Sequence, residues 1–340
     1  MKTQRILRKI LALSLLLART VALASDQEGN TKSREDIILE QLETVVKRRI
    51  SGREVLSLET GTVKQLVIRK PGATKVHALR SSVSIKELGV VGDKHIGKKK
   101  PRKNITDEQW EFVLKAEAVS MIDSGIAKAL GPFGLTGDNI IIEGLDFSAI
   151  RPRSLIVIHD PIGNVKVLMT QTNFPHLGCC YLTSRVGAKA SARIFYGTQG
   201  AGFYKEDDLS RFKESVQKSI DTGLRGKKAW ILMEGIISNG DRVTVIPEYN
   251  IEEHPILDNI EISREELLVK INDAVQKVEK IENLVFNEKR KKAGSMGNSM
   301  FNPNSTQIVN ENSPFYMMLG SFSGFLPCPI NFLSGKVHQD

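Results

Sequence analysis

Apolar positions change period several times along the chain, and each change marks an element. After Ser33, the residues Ile37, Ile38, Leu42, Val45, Val46 and Ile50 recur at helical spacing up to Gly52, which predicts an amphipathic helix. Thr62 to Ile68 then reads as a strand closed by Pro71-Gly72, and a second strand is predicted around Val83 to Ile85. Thr106 followed by Gln109 is a capping-box pattern ahead of Trp110, Val113, Leu114, Ala118 and Met121, so a helix is expected through those positions. A short helix over 124–130 is stopped by Gly131-Pro132. β-Branched runs follow at 139–143, 154–159 and 165–170, the last two joined by the turn-forming segment Asp160 to Asn164.

In the charged stretch 205–227, Leu209, Phe212, Val216 and Ile220 suit one amphipathic helix. Strands are expected again at 229–233 and 242–246, separated by Gly235, Asn239, Gly240 and Asp241. Ser263 and Glu266 form a second capping-box pattern before Leu267, Ile271, Ala274, Val278, Ile281 and Val285, a helix running into the basic residues 289–292. Many short strands with turns between them imply a fold that is mainly β with inserted helices, a barrel or sandwich-like core. The expected organisation is a targeting peptide over 1–24, a linker and N-terminal helix over 25–59, a β domain over 60–250, a helical extension over 251–292 and a low-charge, flexible tail over 293–340.

Composition changes the picture little. A chain of 340 residues with 41% hydrophobic and 26% charged residues excludes wholesale disorder, collagen-like sequence and a polytopic membrane protein. No firm transmembrane span is expected, since the uncharged stretch 315–333 is broken by glycines, serines, Pro327 and Pro329. Three cysteines, two of them adjacent, cannot build a disulfide framework. The net charge of +9 is partly an N-terminal effect, because residues 1–24 hold five basic residues and no acid, leaving 43 basic against 39 acidic residues. That segment has a basic start, an apolar run from Ile10 to Ala18 and a small-x-small site at Ala22-Leu23-Ala24. It reads as a secretory signal, with a mitochondrial or other organellar presequence as the alternative.

Four segments resemble the MOSC family, named for the carboxy-terminal domain of molybdenum cofactor sulfurases. They are Gly89-Val90-Val91-Gly92-Asp93-Lys94-His95-Ile96-Gly97; Gly134-Leu135-Thr136-Gly137-Asp138-Asn139-Ile140 with Glu143-Gly144-Leu145-Asp146; the cysteine region Phe174 to Leu182; and the turn from Gly235 to Val243. Their order covers residues 60–247. The departures are Lys94 for the usual arginine, Asp138 for the usual glutamate, and a cysteine that does not directly follow the proline. The resemblance implies a MOSC-type β-barrel with N- and C-terminal helical extensions, binding molybdenum cofactor and acting in reductive N–O chemistry or as a sulfur carrier to a metal–sulfur centre. It places the catalytic or metal-ligating sulfur at Cys179, with Cys180 as the alternative. It places the cofactor among Lys94, His95, Arg102, Thr136, Gly137, Asp138, Asn139 and Arg185. A thiolate is a soft metal ligand and can carry sulfane sulfur, and cationic side chains and turn N–H groups suit an anionic cofactor.

No segment suits a pyridoxal-phosphate sulfurase domain or a resident flavin or iron–sulfur centre, so the implied partners are a small-molecule substrate and an external electron donor or sulfurase. Two other readings remain. The run Lys98-Lys99-Lys100-Pro101-Arg102-Lys103 suits a non-enzymatic module for anionic ligands or nucleic acid through the basic loop 94–103, although it lacks interleaved aromatics for stacking bases. The third is an inactive MOSC-like scaffold for a protein partner.

Overall fold

The computed structural model describes residues 32–69, 77–96, 105–172, 174, 182, 185–196, 221 and 223–295. The expected targeting segment, the basic run from Lys98 to Lys103, both cysteines of the 179–180 pair, the helix expected over 205–220 and the tail beyond 295 lie outside these residues. Among the described residues no helix is long and apolar enough to cross a membrane.

Seven strands close into a barrel. They are β1 (Thr60–Ile68), β5 (Val119–Asp123), β6 (Ile140–Glu143), β7 (Leu155–His159), β8 (Val165–Thr170), β9 (Lys227–Met233) and β11 (Arg242–Ile246). Their order is β11-β7-β8-β9-β5-β6-β1, and β11 pairs back onto β1 to complete the ring. Only β5 and β6 run parallel in the barrel, with Met121 opposite Ile140, and the crossover between them carries α3 (Ser124–Leu130). The short strand β2 (Ala78–Arg80) adds to the end of β1. Strands β3 (Ser82–Lys86), β4 (Gly89–Val90) and β10 (Gly235–Ser238) form a separate three-stranded sheet.

Alternation along each strand sorts residues between two sides. Ile140, Ile142, Ile156, Ile158, Val167, Met169, Ala229 and Ile231 fill the barrel, where Val83, Ile85, Val90 and Ile237 of the small sheet join them. The intervening residues face outward into three further apolar layers. Val67, Ile122 and Ile141 meet α3, α1 (Arg34–Ile50) and α4 (Ala188–Tyr196). Trp230 and Phe174 meet α2 (Asp107–Ala116) and the first half of α5 (Arg264–Ser295). Leu155, Val157 and Leu168 meet the segment from Ile251 to Ile271. Both faces of these strands are covered, which is why Ile140-Ile141-Ile142 reads as an unbroken apolar run rather than an alternation.

The helix ends follow the sequence closely. Ser33 caps α1 by accepting from the Asp36 N–H, and Thr106 and Gln109 complete a reciprocal capping box on α2. The Ser263 hydroxyl accepts from the Glu266 N–H at 3.1 Å. Two expectations are corrected. The helix expected through Ala118 and Met121 stops at Ala116, and Val119–Asp123 is instead a central barrel strand between β6 and β9. Every residue of that strand is buried, so its apolar pattern carries no period. Gly235–Ser238, expected as a turn, is the strand β10 paired with β3.

The N-terminal helix is part of the same body as the barrel rather than a separate lead-in. Ile38 and Leu42 are buried in the layer over β1, β5 and β6, and Arg49 Nη2 reaches Asp123 at the end of β5 at 2.5 Å.

Candidate functional site

The outer face of β5, β6 and β1 carries a polar cluster beside its apolar layer. Ser120, Asn139 and Arg69 lie on the same side as Ile122, Ile141 and Val67 by strand alternation. Asn139 is the hub. Its Oδ1 accepts from Arg69 Nη2 at 2.9 Å and from the Ser120 N–H and hydroxyl, both at 3.2 Å. Its Nδ2 donates to Asp93 Oδ2 at 2.8 Å and to the Val67 carbonyl at 3.3 Å. One buried amide therefore joins β1, β5, the entry to β6 and the Gly92-Asp93-Lys94-His95 turn.

Asp93 closes the same network. Its carboxylate accepts from Arg69 Nε at 2.9 and 3.1 Å, from the Arg69 backbone N–H at 3.0 Å and from the His95 N–H at 2.8 Å. Burial pushes the Asp93 carboxyl upward, but the Arg69 charge and these N–H donors outweigh it and hold the group below the usual carboxylate range. The Lys94 N–H donates to the Arg69 carbonyl at 2.7 Å, fixing the turn against the end of β1.

The aspartates of the other two Gly-Asp turns behave alike. Asp138 accepts from Arg225 Nη1 at 2.8 and 2.9 Å, with both side chains almost sealed from solvent. Asp241 accepts from Lys166 Nζ at 2.7 Å and from the Ser238 N–H at 2.7 Å. Each of the three turns thus ends on a buried or nearly buried carboxylate paired with a cation. Asp138, expected among the cofactor contacts, has its carboxylate turned to Arg225 within the protein.

What these turns leave near the surface is positive. His77 is 3% exposed, and its N–H donates to the Gly134 carbonyl at 3.3 Å. Its ring packs on the Gly137 turn, where a Cβ would stand 3.3 Å from ring atoms Cδ2 and Nε2 and 3.5 Å from Arg69 Cδ. Gly137 also has φ +74°, so both the space and the backbone favour glycine. Burial first, then the charges of Lys94, Arg69 and Arg185, lower His77 to about 4, with Asp93 opposing them. His77 is therefore a neutral imidazole at physiological pH in a field of three cations and one anion.

This gives a stability prediction. Between pH 6.5 and 4 the unfolded chain protonates His77 and the folded chain does not, so stability falls as pH drops through that window. The loss should reach about 3 kcal/mol at its acid end, by the rule of about 1.4 kcal/mol per pH unit. Urea unfolding of the wild type and His77→Phe at several pH values between these limits checks it. The variant should show a shallower slope, and parallel slopes would refute the assignment.

The structure brings together Lys94, His95, Gly137, Asp138, Asn139 and Arg185, and places Thr136 beneath them with its hydroxyl 3.4 Å from the Asp138 N–H. Arg102, Cys179 and Cys180 lie outside the described residues. Arg69, His77, Ser120 and Arg225 were not singled out from the sequence. Arg69 and Arg225 read as ordinary basic residues beside strands, and no local pattern surrounds His77. The two Gly-Asp segments of the resemblance, whose aspartates are 45 residues apart, converge on one arginine outside a closed seven-stranded barrel. The fold around this cluster is a closed seven-stranded barrel with helices packed on its outer faces.

No protein-family model and no curated protein matches the sequence. Solved structures similar to this chain include the YuaD protein from Bacillus subtilis, at 16% identity and TM-score 0.33, covering 55% of this chain and 95% of that one. YiiM from Geobacillus stearothermophilus has 11% identity and TM-score 0.32, covering 63% and 99%. YiiM from Escherichia coli has 13% identity and TM-score 0.30, covering 63% and 92%.

Among the described residues no cluster of three or more His, Cys, Asp or Glu side chains could hold a metal ion. The chemistry those residues offer is recognition of an anion by cations, a neutral imidazole and backbone N–H groups. The 179–180 pair, at which the resemblance places a metal ligand, precedes Arg185 by five or six positions in the sequence.

Proposed function

We propose that this barrel is of the MOSC type and binds a molybdenum–pterin cofactor against the outer face formed by Arg69, His77, Lys94, the Gly137 turn and Arg185. The observation that carries the reading is that, among the described residues, the buried His77 ring packs on the Gly137 turn beside Arg69, where the charges of Lys94, Arg69 and Arg185 act on it against that of Asp93. Such a field favours an anionic group, and guanidinium and ammonium groups are the usual partners of phosphate. These residues fit the cofactor's anionic part; Cys179 or Cys180 would supply the soft ligand for its metal. When bound, the cofactor supplies a redox-active metal centre for reductive N–O chemistry or a destination for transferred sulfur.

The chain's own residues have separate tasks. Asn139 and Asp93 hold Arg69 in place, the Gly137 turn makes room for the His77 ring beside Arg69, and Arg225 keeps the Asp138 turn from opening. His77, as a neutral ring, can donate one hydrogen bond without adding a fourth charge. Electrons or sulfane sulfur come from another protein.

The test is production of the full chain in a host that makes the cofactor, followed by elemental and pterin analysis. About one molybdenum per chain is expected in the wild type, with loss in Cys179→Ala or in Cys180→Ala, whichever residue is the ligand. Metal-free wild type, or undiminished metal in the double alanine variant, would reject the proposal.

A further inference from the structure

Helix α4 begins just after Arg185, and its first turn is held from outside by the N-terminal helix. Glu35 Oε1 accepts a hydrogen bond from the Lys189 backbone N–H. The same carboxylate lies against Gly187, where an added Cβ would stand 2.6 Å from Oε1. Gly187 has φ +91°, so the turn that feeds α4 is both left-handed and filled by a side chain from α1. A carboxylate at this end also complements the positive end of the α4 dipole.

The rest of α1 matches α4 along its length. Ile38 and Leu42 share one buried layer with Val186, Ala190 and Ile194. Glu43 pairs with Arg193 at 2.5 Å, and Asp36 lies 3.9 Å from Lys189 Nζ. The apolar and acidic stripes of α1 thus meet the apolar and basic stripes of α4. Arg185 stands two residues before Gly187, and its charge acts on His77 in the cationic cluster.

We propose that Glu35 is a positioning residue of the site: by capping α4 and filling the space at Gly187, it sets the direction from which Arg185 enters the cluster. Helix α1 then belongs to the site although it precedes the barrel in sequence and touches none of the Gly-Asp turns through this residue. The inference rests on the cluster being the anion-binding side of the proposed cofactor site, but its test uses no cofactor.

The readout is the NMR titration of the His77 ring in the full chain, because Arg185 is one of the charges that lower it. Arg185→Ala should raise the midpoint, since it removes one of the charges that lower it. Glu35→Ala should raise it by the same amount, and the double variant should go no further, since one residue acts through the other. Glu35→Gln keeps an acceptor for the Lys189 N–H and should recover most of the wild-type value. Glu43→Ala removes a neighbouring α1–α4 ion pair away from the turn and should leave His77 unmoved.

Faster amide exchange at Lys189 in Glu35→Ala with an unchanged His77 titration would overturn the proposal, leaving Glu35 a local cap only. An equal shift from Glu43→Ala would overturn it too, by showing general loosening of α1. Should metal analysis fail while the His77 shifts occur as described, the cofactor reading falls and the positioning role of Glu35 stands.

Discussion

Asp138→Ala is expected to cost about 3–5 kcal/mol of folding stability, the range found when one partner is removed from a buried ion pair. Asp138 is fully buried and the Arg225 side chain is 5% exposed, so the guanidinium left behind cannot turn to solvent in place. Two hydrogen bonds from Arg225 Nη1 are lost together. The cost reflects a buried cation deprived of this carboxylate rather than the net worth of the pair. Accordingly, Asp138→Leu combined with Arg225→Met should recover most of the loss, because neither charge then remains to be desolvated. Urea unfolding of the two variants and the wild type checks both statements. A loss below about 1 kcal/mol for Asp138→Ala, the value typical of exposed pairs, would show that the site opens to water.

Lys227→Met is expected to act in the opposite direction and stabilise the protein. Lys227 is 2% exposed at the start of β9, on the barrel-facing side it shares with Ala229 and Ile231. Burial lowers its amine to about 8; Asp221 and Asp146 work against that lowering, and Arg151 adds to it. Below pH 8 the amine is charged in both folded and unfolded chains, and the fold bears the net penalty that remains after Asp221 and Asp146 offset part of the burial. Between pH 8 and 10.5 the folded chain releases the proton while the unfolded chain keeps it, so stability rises with pH through that window. The penalty is about 3 kcal/mol from the same conversion of pH units to energy, and methionine fills a similar volume without a charge. The variant should therefore gain up to about that amount at pH 7, and the gain should shrink toward pH 10.5. A gain that is absent at pH 7, or independent of pH, would contradict this account of Lys227.

Much of the secondary structure is legible locally. Ser33 and Thr106 cap helices where expected, and Gly131 ends α3. The β7–β8 hairpin turns at Asp160 to Asn164, whose side chains hydrogen-bond within the loop at 2.8 Å. The failure at β5 has a physical cause. A strand buried on both faces between β6 and β9 looks like a continuation of the preceding helix, because burial on all sides removes the period that separates the two. β10 was missed for a related reason. It is four residues long and begins at Gly235, so turn composition concealed a strand that exists because β3 pairs with it.

The candidate site divides in the same way. The two Gly-Asp segments are visible as motifs because glycine and aspartate carry local turn chemistry. That their aspartates serve as buried counter-ions is not visible, since Arg69 is 24 residues from Asp93 and Arg225 is 87 residues from Asp138.

By itself the sequence determined the strand-rich class, the helix caps, the turns and the two segments that bound the site, all of which depend on neighbours a few residues apart. Tertiary structure alone decided that Asn139 joins three strands and a turn, that the charges of Lys94, Arg69 and Arg185 act on a buried His77, and that helix α1 reaches Gly187 and Lys189 through Glu35. Those arrangements depend on closure of the ring between β11 and β1 and on which face of each strand the helices cover. Charges and polar groups acquire partners and shifted protonation only once that packing removes water from around them.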